Sequence, residues 1–286
     1  MIASLPVERL QEQFGDAVSL HAPLAKFTSA RIGGAADVLL TAQSAKQLAE
    51  MVSVLWETET PFMIMGGGSN MLVSDAGVRG VVVLNKARKM EIDQGTPSVW
   101  AESGSNFGAV ARQCGRSNLT GLEWAAGIPG TVGGAVVGNA GAHGGDVAGN
   151  LILASVLHQE YGRQDWSPEQ MQYDYRSSRL KRHPGQAVVL SASFEVAHGE
   201  TEAIKGKMDE FLAFRRRTQP PGASMGSMFK NPPGDYAGRL IDAAGLKGLR
   251  VSGRPRSANC MEISSSTTET PPPKKCWRSS GRPGGR

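Results

Sequence analysis

Two glycine-rich turns are the segments of this sequence best suited to binding a ligand. The first, residues 66–70, reads Gly-Gly-Gly-Ser-Asn, and the second, residues 127–134, reads Gly-Ile-Pro-Gly-Thr-Val-Gly-Gly. Glycine has no Cβ atom, so the backbone can adopt positive φ and bring N–H groups close to an anion. Ser69, Asn70 and Thr131 add polar side chains. Each turn alone is compatible with a plain surface turn, but together they indicate a long ligand carrying a diphosphate, such as a dinucleotide.

Two further segments carry polar groups that suit an anionic ligand. Residues 173–178 place Arg176 among tyrosines, and a planar guanidinium binds carboxylate or phosphate well. Residues 226–232 bring Ser227, Lys230 and Asn231 together in front of a predicted helix. The alternatives are a solvated loop for the first segment and a turn with a helix N-cap for the second.

Alternating helices and strands must position these segments. Apolar runs predict strands at 36–40, 61–65, 80–84 and 187–196, with further strands from about residue 151. Helical periodicity and stop signals predict helices within 1–14 and at 45–56, 106–114, 202–217 and 237–244. The chain is therefore predicted to have α+β or α/β architecture, with a domain boundary near residue 200.

Charge and composition exclude several functions. The 286 residues carry a net charge of +5, but residues 251–286 hold seven Lys/Arg against two Glu, which leaves the body neutral. This basic tail, rich in Pro, Ser and Gly, is predicted to be disordered, and no nucleic-acid partner is expected. No apolar run is long enough for a membrane span, and the N-terminus does not resemble a signal peptide, so a cytoplasmic location is predicted. Three cysteines without paired spacing support neither disulfides nor a metal site.

Five motifs, in order and spacing, resemble the UDP-N-acetylenolpyruvoylglucosamine reductase family, in its shorter subclass. They lie at residues 26–34, 65–70, 121–145, 175–178 and 226–232, and the resemblance covers about residues 20–250. It implies an α+β protein with two FAD-binding subdomains of the vanillyl-alcohol-oxidase type, at 1–86 and 87–200. A third, substrate-binding domain is expected at 201–250, followed by a tail at 251–286 that does not resemble the family.

The resemblance also implies a reaction and its residues. Such enzymes use NADPH and FAD to reduce UDP-N-acetyl-enolpyruvoylglucosamine to UDP-N-acetylmuramate for peptidoglycan. Arg176 and Ser227 match catalytic positions, and Tyr175, Lys230 and Asn231 match substrate-binding positions. No obligate protein partner is inferred, and His143 is expected to be an exposed loop residue, so that FAD is bound non-covalently. The residues implied to bind FAD are Gly66, Gly67, Gly68, Ser69, Asn70, Gly127, Ile128, Gly130, Thr131, Gly133 and Gly134.

The C-terminal part departs from the family pattern. The resemblance ends after Val251, and no counterpart of the family's C-terminal catalytic glutamate is present. Regrouping the codons behind residues 260–277 can give a family-like segment that contains His-Gly-Asn-Phe-Ile-Val-Asn-Asn. We therefore hypothesise that residues from about 252 onward are the gene read in a shifted frame. The alternatives to an active reductase are a catalytically impaired flavin-binding protein and another flavin oxidoreductase acting on an alcohol or sugar.

Overall fold

The computed structural model describes residues 5–219, 226, 229–251 and 261–262. The chain divides into two compact units, residues 1–230 and residues 231–286. The helices are α1 (Val7–Phe14), α2 (Ala45–Glu57), α3 (Phe107–Arg116), α4 (Val132–Gly138), α5 (Val147–Asn150), α6 (Pro168–Met171), α7 (Arg179–Arg182), α8 (Thr201–Thr218) and α9 (Ala237–Ala243). The strands are β1 (Val18–Pro23), β2 (Ala35–Ala42), β3 (Phe62–Met65), β4 (Val78–Asn85), β5 (Met90–Asp93), β6 (Ser98–Glu102), β7 (Leu119–Thr120), β8 (Gly141–Ala142), β9 (Gly145–Asp146), β10 (Leu151–His158), β11 (Gly162–Trp166), β12 (Ala187–Glu195), β13 (Ala197–His198), β14 (Arg250–Val251) and β15 (Met261–Glu262).

The first sheet has the strand order β1-β2-β4-β3. Strand β1 pairs antiparallel with β2, whereas β2 and β3 both run parallel to β4. Helix α2 connects β2 to β3, and the Ser44 side chain caps it by accepting a bond from the Gln47 amide. Its apolar residues recur at helical spacing and bury one face against the sheet. This arrangement places the first glycine turn directly after β3.

The second sheet is antiparallel, with the strand order β11-β10-β12-β6-β5. Helix α3 packs into its core through Phe107, Val110 and Cys114, and α4 adds Val132 and Val136. Both helices begin beside the connection that follows β6. The sheet therefore holds the second glycine turn, which leads into α4, against the start of α3.

Strand β12 contributes side chains to both cores. Val188 and Leu190 belong to the core around α2, while Val189 and Phe194 belong to the core around α3. Successive side chains of a strand point to opposite faces, which explains the division between Val188, Val189 and Leu190. Strand β12 therefore connects the hydrophobic cores of the two sheets.

Glu102 joins elements from both sheets. It is only 4% exposed, and its Oε1 accepts a 2.8 Å bond from the Ala45 amide at the start of α2. Its Oε2 accepts a bond of the same length from the Lys89 amide. A carboxylate near the first turn of a helix is favourably placed in the helix dipole, and here it ties α2 to the segment before β5.

The predicted elements are confirmed with small shifts of their ends. The strands expected at 36–40, 61–65, 80–84 and 187–196 are β2, β3, β4 and β12, and the expected helices are α1, α2, α3, α8 and α9. Helix α8 lies in the first unit, where Ile204 and Met208 join the core of the second sheet. The division of the chain into three domains stays a prediction.

The described part of the second unit contains α9, β14 and β15. Strand β14 pairs antiparallel with β15, so Met261 and Glu262 form regular structure inside the segment predicted to be disordered. Their pairing satisfies backbone groups of Arg250 and Val251 despite the polar surroundings in the sequence. The rest of the expected disorder, and most of the hypothesised frame shift, falls on residues outside those described.

Candidate functional site

The two glycine turns are in contact with each other. A Cβ atom at Gly66 would lie 2.4 Å from Thr131 Oγ1, and one at Gly67 would lie 3.3 Å from the Cα atom of Gly130. A Cβ atom at Gly130 would in turn lie 2.7 Å from Ser69 Oγ. Glycine at these positions therefore allows one turn to approach the other.

The sequence predicts that the glycines of both turns adopt positive φ, but only two of the predicted cofactor-binding residues do so. Gly68 has φ of +58° and Gly130 has φ of +106°. At Gly68 a Cβ atom would also lie 2.1 Å from the Phe27 carbonyl oxygen. At Gly66, Gly67, Gly127 and Gly133 a Cβ atom would meet a neighbour within 3.3 Å, whereas at Gly134 it would make only an ordinary contact.

The end of the second turn bonds within the protein. The Val132 and Gly133 amides donate to the carbonyl oxygens of Ser105 and Ser103, at 2.9 and 2.8 Å. The Gly134 amide donates to Thr131 Oγ1 at 3.4 Å and so is part of the cap of α4. Val132, Gly133 and Gly134 thus anchor the turn to the β6–α3 connection, and their N–H groups do not point freely at a ligand.

A cavity of about 490 Å³ lies where the turns meet. Gly66 and Gly67 line it from the first turn, and Gly130 and Thr131 line it from the second. Asn106, the N-cap residue of α3, forms part of the wall and accepts a bond from the Ala109 amide at 2.8 Å. Helix starts carry partial positive charge, so this wall suits an anion.

Two cations complete the cavity wall, and sequence reasoning missed both. Lys86 and Arg88 follow directly after β4. Burial, and then the positive charge of Arg88, lower the pKa of Lys86. The Lys86 ammonium also lies 5.8 Å from the ring centre of Phe27. The sequence signal that could have revealed them is the placement of two cations just after a buried apolar strand. Together with the glycine turns, Lys86 and Arg88 suit the binding of a diphosphate.

Arg176 lies in a tight turn, residues 174–177. It has φ of +54°, in the left-handed region that non-glycine residues rarely occupy. Its guanidinium donates to the Gly141 carbonyl at 2.7 Å and to the Asn139 carbonyl at 3.5 Å. Tyr175 is 53% exposed, and its ring centre lies 5.9 Å from the Arg176 guanidinium carbon. Exposed Tyr175 and fixed Arg176 thus present a polar surface.

The two other aromatic residues near this turn have different environments. Tyr173 is partly buried, and its hydroxyl has no hydrogen-bond partner among the described residues. His143 is exposed, as expected, and its ring stacks on Phe211 of α8 with centroids 4.1 Å apart. Burial, and then the charge of Arg215, lower the pKa of His143. His143 therefore packs on a helix at the protein surface.

The remaining predicted substrate residues fall at the junction of the units. Ser227 lies outside the described residues. Lys230 is exposed and ends the first unit, whereas Asn231 begins the second. Asn231 Oδ1 accepts a 3.1 Å bond from the Ala237 amide at the start of α9. Asn231 thus bonds to the first residue of α9, whose N-cap is Tyr236, while its substrate role stays a prediction.

The fold together with a family match defines an FAD-binding protein of the α+β class. The family described as "FAD binding domain" matches residues 36–157, which include both glycine turns. The family described as "UDP-N-acetylenolpyruvoylglucosamine reductase, C-terminal domain" matches residues 218–264. This second match extends past Val251, where the motif resemblance ends.

Relatives specify the family. The chain is 40% identical to UDP-N-acetylenolpyruvoylglucosamine reductase of Chloroflexus aurantiacus, over 80% of this chain and 79% of that protein. It is 41% identical to the reductase of Rubrobacter xylanophilus, over 82% of this chain and 78% of that protein. The crystal structure of the reductase from Thermus caldophilus superimposes with a TM-score of 0.70 at 34% identity, covering 82% of this chain and 81% of that one.

The chain belongs to the UDP-N-acetylenolpyruvoylglucosamine reductase family. The fold class expected from the sequence is thereby confirmed, and family membership favours an FAD-dependent oxidoreductase over a flavin-binding protein without catalysis. Within the described residues, no helix combines the length and apolarity that a membrane crossing requires.

Proposed function

We propose that this chain reduces UDP-N-acetyl-enolpyruvoylglucosamine to UDP-N-acetylmuramate, with FAD as cofactor and NADPH as reductant. The observation that carries the proposal is the convergence of two glycine turns on one cation-lined cavity. Glycines of both turns line this cavity beside Lys86 and Arg88. This combination fits the diphosphate of FAD.

The first turn and the cavity cations are the groups that would hold the cofactor. Gly66, Gly67 and Thr131 line the cavity, and Lys86 and Arg88 supply positive charge there. The chemistry that bound FAD supplies is hydride transfer, by acceptance from NADPH and delivery to the enolpyruvyl carbon. Gly133 and Gly134 would act indirectly, because they hold the second turn against Ser103 and the start of α4.

Arg176 would bind the substrate carboxylate, on which negative charge grows during reduction. Two of its donors are held by the Gly141 and Asn139 carbonyls, which fixes the plane of the guanidinium. A guanidinium has five N–H donors, so others remain for a ligand. A cation fixed before the reaction stabilises developing charge without reorganisation.

Ser227 would donate the proton to the carbon next to the carboxylate. Tyr175, Lys230 and Asn231 would contact the diphosphate and sugar of the substrate, and exposed Tyr175 beside Arg176 supports this assignment. The product would enter peptidoglycan precursor synthesis, on which cell shape and division depend. We place the enzyme in the cytoplasm and infer no obligate protein partner.

Purified full-length chain tests the proposal. We expect a yellow protein that releases FAD on denaturation, and NADPH oxidation that requires the enolpyruvyl nucleotide sugar. Mass spectrometry should show a product heavier than the substrate by two hydrogen atoms. UDP-N-acetylglucosamine, which lacks the enolpyruvyl group, is the matched control and should support no reduction. A colourless protein that cannot be reconstituted with FAD would refute the cofactor assignment, and a flavin reduced by NADPH but never reoxidised by the substrate would refute the reaction.

A further inference from the structure

The turn that contains Arg176 is closed by backbone bonds between Asp174 and Ser177, and a lysine adds one more bond to it. The Lys181 ammonium donates a 2.9 Å hydrogen bond to the Arg176 carbonyl oxygen. Arg176 itself is in the left-handed region, which a non-glycine residue keeps only when its surroundings impose it. The orientation of this peptide determines where the arginine side chain leaves the turn. Lys181 therefore acts on the geometry of Arg176 although it lies outside the turn.

Lys181 is itself fixed by a buried serine. Ser178 is fully buried, and its hydroxyl donates a 2.7 Å bond to the Val137 carbonyl of α4. The same oxygen accepts a 3.2 Å bond from the Lys181 amide, which caps the short helix α7. Leu180 is also buried beside it. The backbone of Lys181 is thus anchored to the core, while its side chain is exposed and reaches the Arg176 carbonyl at the surface.

Two positive charges act on Lys181, those of Lys230 and Arg176. Burial lowers its pKa, followed by the positive charges of Lys230 and Arg176. In the part of the chain that the structure describes, no carboxylate forms an ion pair with Lys181, Arg176 or Lys230. Adjacent cations repel each other, so this arrangement is favourable when an anion is bound.

We propose that Lys181 is a positioning residue, which holds the Arg176 peptide so that the guanidinium faces the substrate carboxylate. The hydrogen bond to the Arg176 carbonyl and the buried Ser178 anchor carry the inference. It rests on the proposed function, because it assumes that Arg176 binds the substrate. Lys181 itself need not contact the substrate for this role.

A double-mutant cycle on the FAD-loaded full-length protein tests the inference. Lys181→Met removes the ammonium and keeps most of the side-chain length, and Arg176→Ala removes the guanidinium. Stopped-flow absorbance follows flavin reduction by NADPH and flavin reoxidation by the enolpyruvyl substrate separately. We expect Lys181→Met to slow reoxidation about tenfold and to leave reduction by NADPH unchanged, because a hydrogen bond from a charged donor is lost. In the Arg176→Ala background the same substitution should change reoxidation by less than about twofold.

Two further variants separate this role from general damage. Lys181→Arg should restore most of the reoxidation rate, since a guanidinium can still donate to the Arg176 carbonyl. Lys46→Met changes a lysine whose side chain is 87% exposed and should alter neither half-reaction. If Lys181→Met does not retain FAD, Lys181→Leu, which has no hydrogen-bond donor, is compared with Lys181→Arg in its place. Equal reoxidation rates for those two variants would then overturn the inference.

The outcomes distinguish the inference from the proposed function. A wild-type protein that fails to reduce the substrate contradicts the function, and with it the assumption about Arg176. A wild-type protein that turns over while Lys181→Met reoxidises at the same rate overturns the positioning role alone. Independent losses that multiply in the double variant would also overturn it, because they would show that Lys181 acts without Arg176.

Discussion

Gly66 and Thr131 are packed so closely that a Cβ atom at position 66 would lie 2.4 Å from Thr131 Oγ1 and 3.0 Å from its Cγ2. Thr131 is also the N-cap of α4, where its hydroxyl accepts a bond from the Gly134 amide. Any group added at position 66 therefore disturbs the second turn and the start of α4 together. The two turns act as a single wall of the cofactor cavity.

Gly66→Ala should weaken FAD binding about tenfold or more, because the added methyl displaces Thr131 at an overpacking cost of ~1–3 kcal/mol. Fluorescence titration of apoprotein with FAD measures the dissociation constant. Gly206→Ala is the matched control, since a Cβ atom there meets nothing within 4 Å in the exposed middle of α8. It should leave FAD affinity unchanged and raise the melting temperature slightly. Unchanged affinity in Gly66→Ala would contradict the shared-wall interpretation.

Arg176→Ala should slow reoxidation of the flavin by the enolpyruvyl substrate while reduction by NADPH stays nearly intact. The guanidinium acts on charge that develops only in the second step, so kcat should fall more than KM rises. Ser227→Ala should show the same pattern if the hydroxyl is the proton donor. Rapid-mixing spectroscopy resolves the two steps. Equal damage to both would exclude the assigned roles.

Glu123 should make stability depend on pH. The residue is 2% exposed, and burial alone would raise its pKa. The Thr120 hydroxyl and the Gly121 amide donate bonds to the carboxylate, and Lys207 lies nearby with a positive charge. These interactions outweigh burial and lower the pKa of Glu123. A lowered pKa in the folded state adds stability above the ordinary glutamate pKa of about 4.3, and this stability disappears as the pH falls through the folded-state value. Urea unfolding of wild type and Glu123→Gln should therefore differ most near neutral pH and converge in acid. Exposed Glu91→Gln serves as the control and should shift little at any pH.

Glu102→Ala should lower the free energy of unfolding by ~2 kcal/mol or more, because the Ala45 and Lys89 amides lose their acceptor in a buried site. Glu102→Gln keeps one carbonyl oxygen and should lose less. Denaturant titrations followed by circular dichroism provide the measurement. Glu91→Ala, in the neighbouring strand β5, should change the free energy by at most about 0.5 kcal/mol. Similar losses at positions 91 and 102 would argue against a bridging role.

Helices and strands were predicted from the spacing of apolar residues, so elements without a regular apolar pattern were missed. Helix α2 was predictable because Leu48, Met51, Val52 and Leu55 recur at helical spacing. Strand β1 was not, since only Ala22 among its residues is buried and no alternation is visible. Edge strands with exposed faces leave little trace in hydrophobic patterns.

The site was only partly predictable for a different reason. Glycines in two turns were visible in the sequence, but the contact between Gly66 and Thr131 depends on how the two sheets pack. The support of Arg176 by Lys181 likewise depends on the left-handed turn at 176, which the residue type disfavours. Such tertiary relationships have no local signature.

Strand β12 connects the hydrophobic cores of the two sheets. With Val188 and Leu190 in one core and Val189 and Phe194 in the other, the sheets cannot separate without exposing apolar side chains of this strand to water. We therefore expect the two sheets to move together as one rigid body.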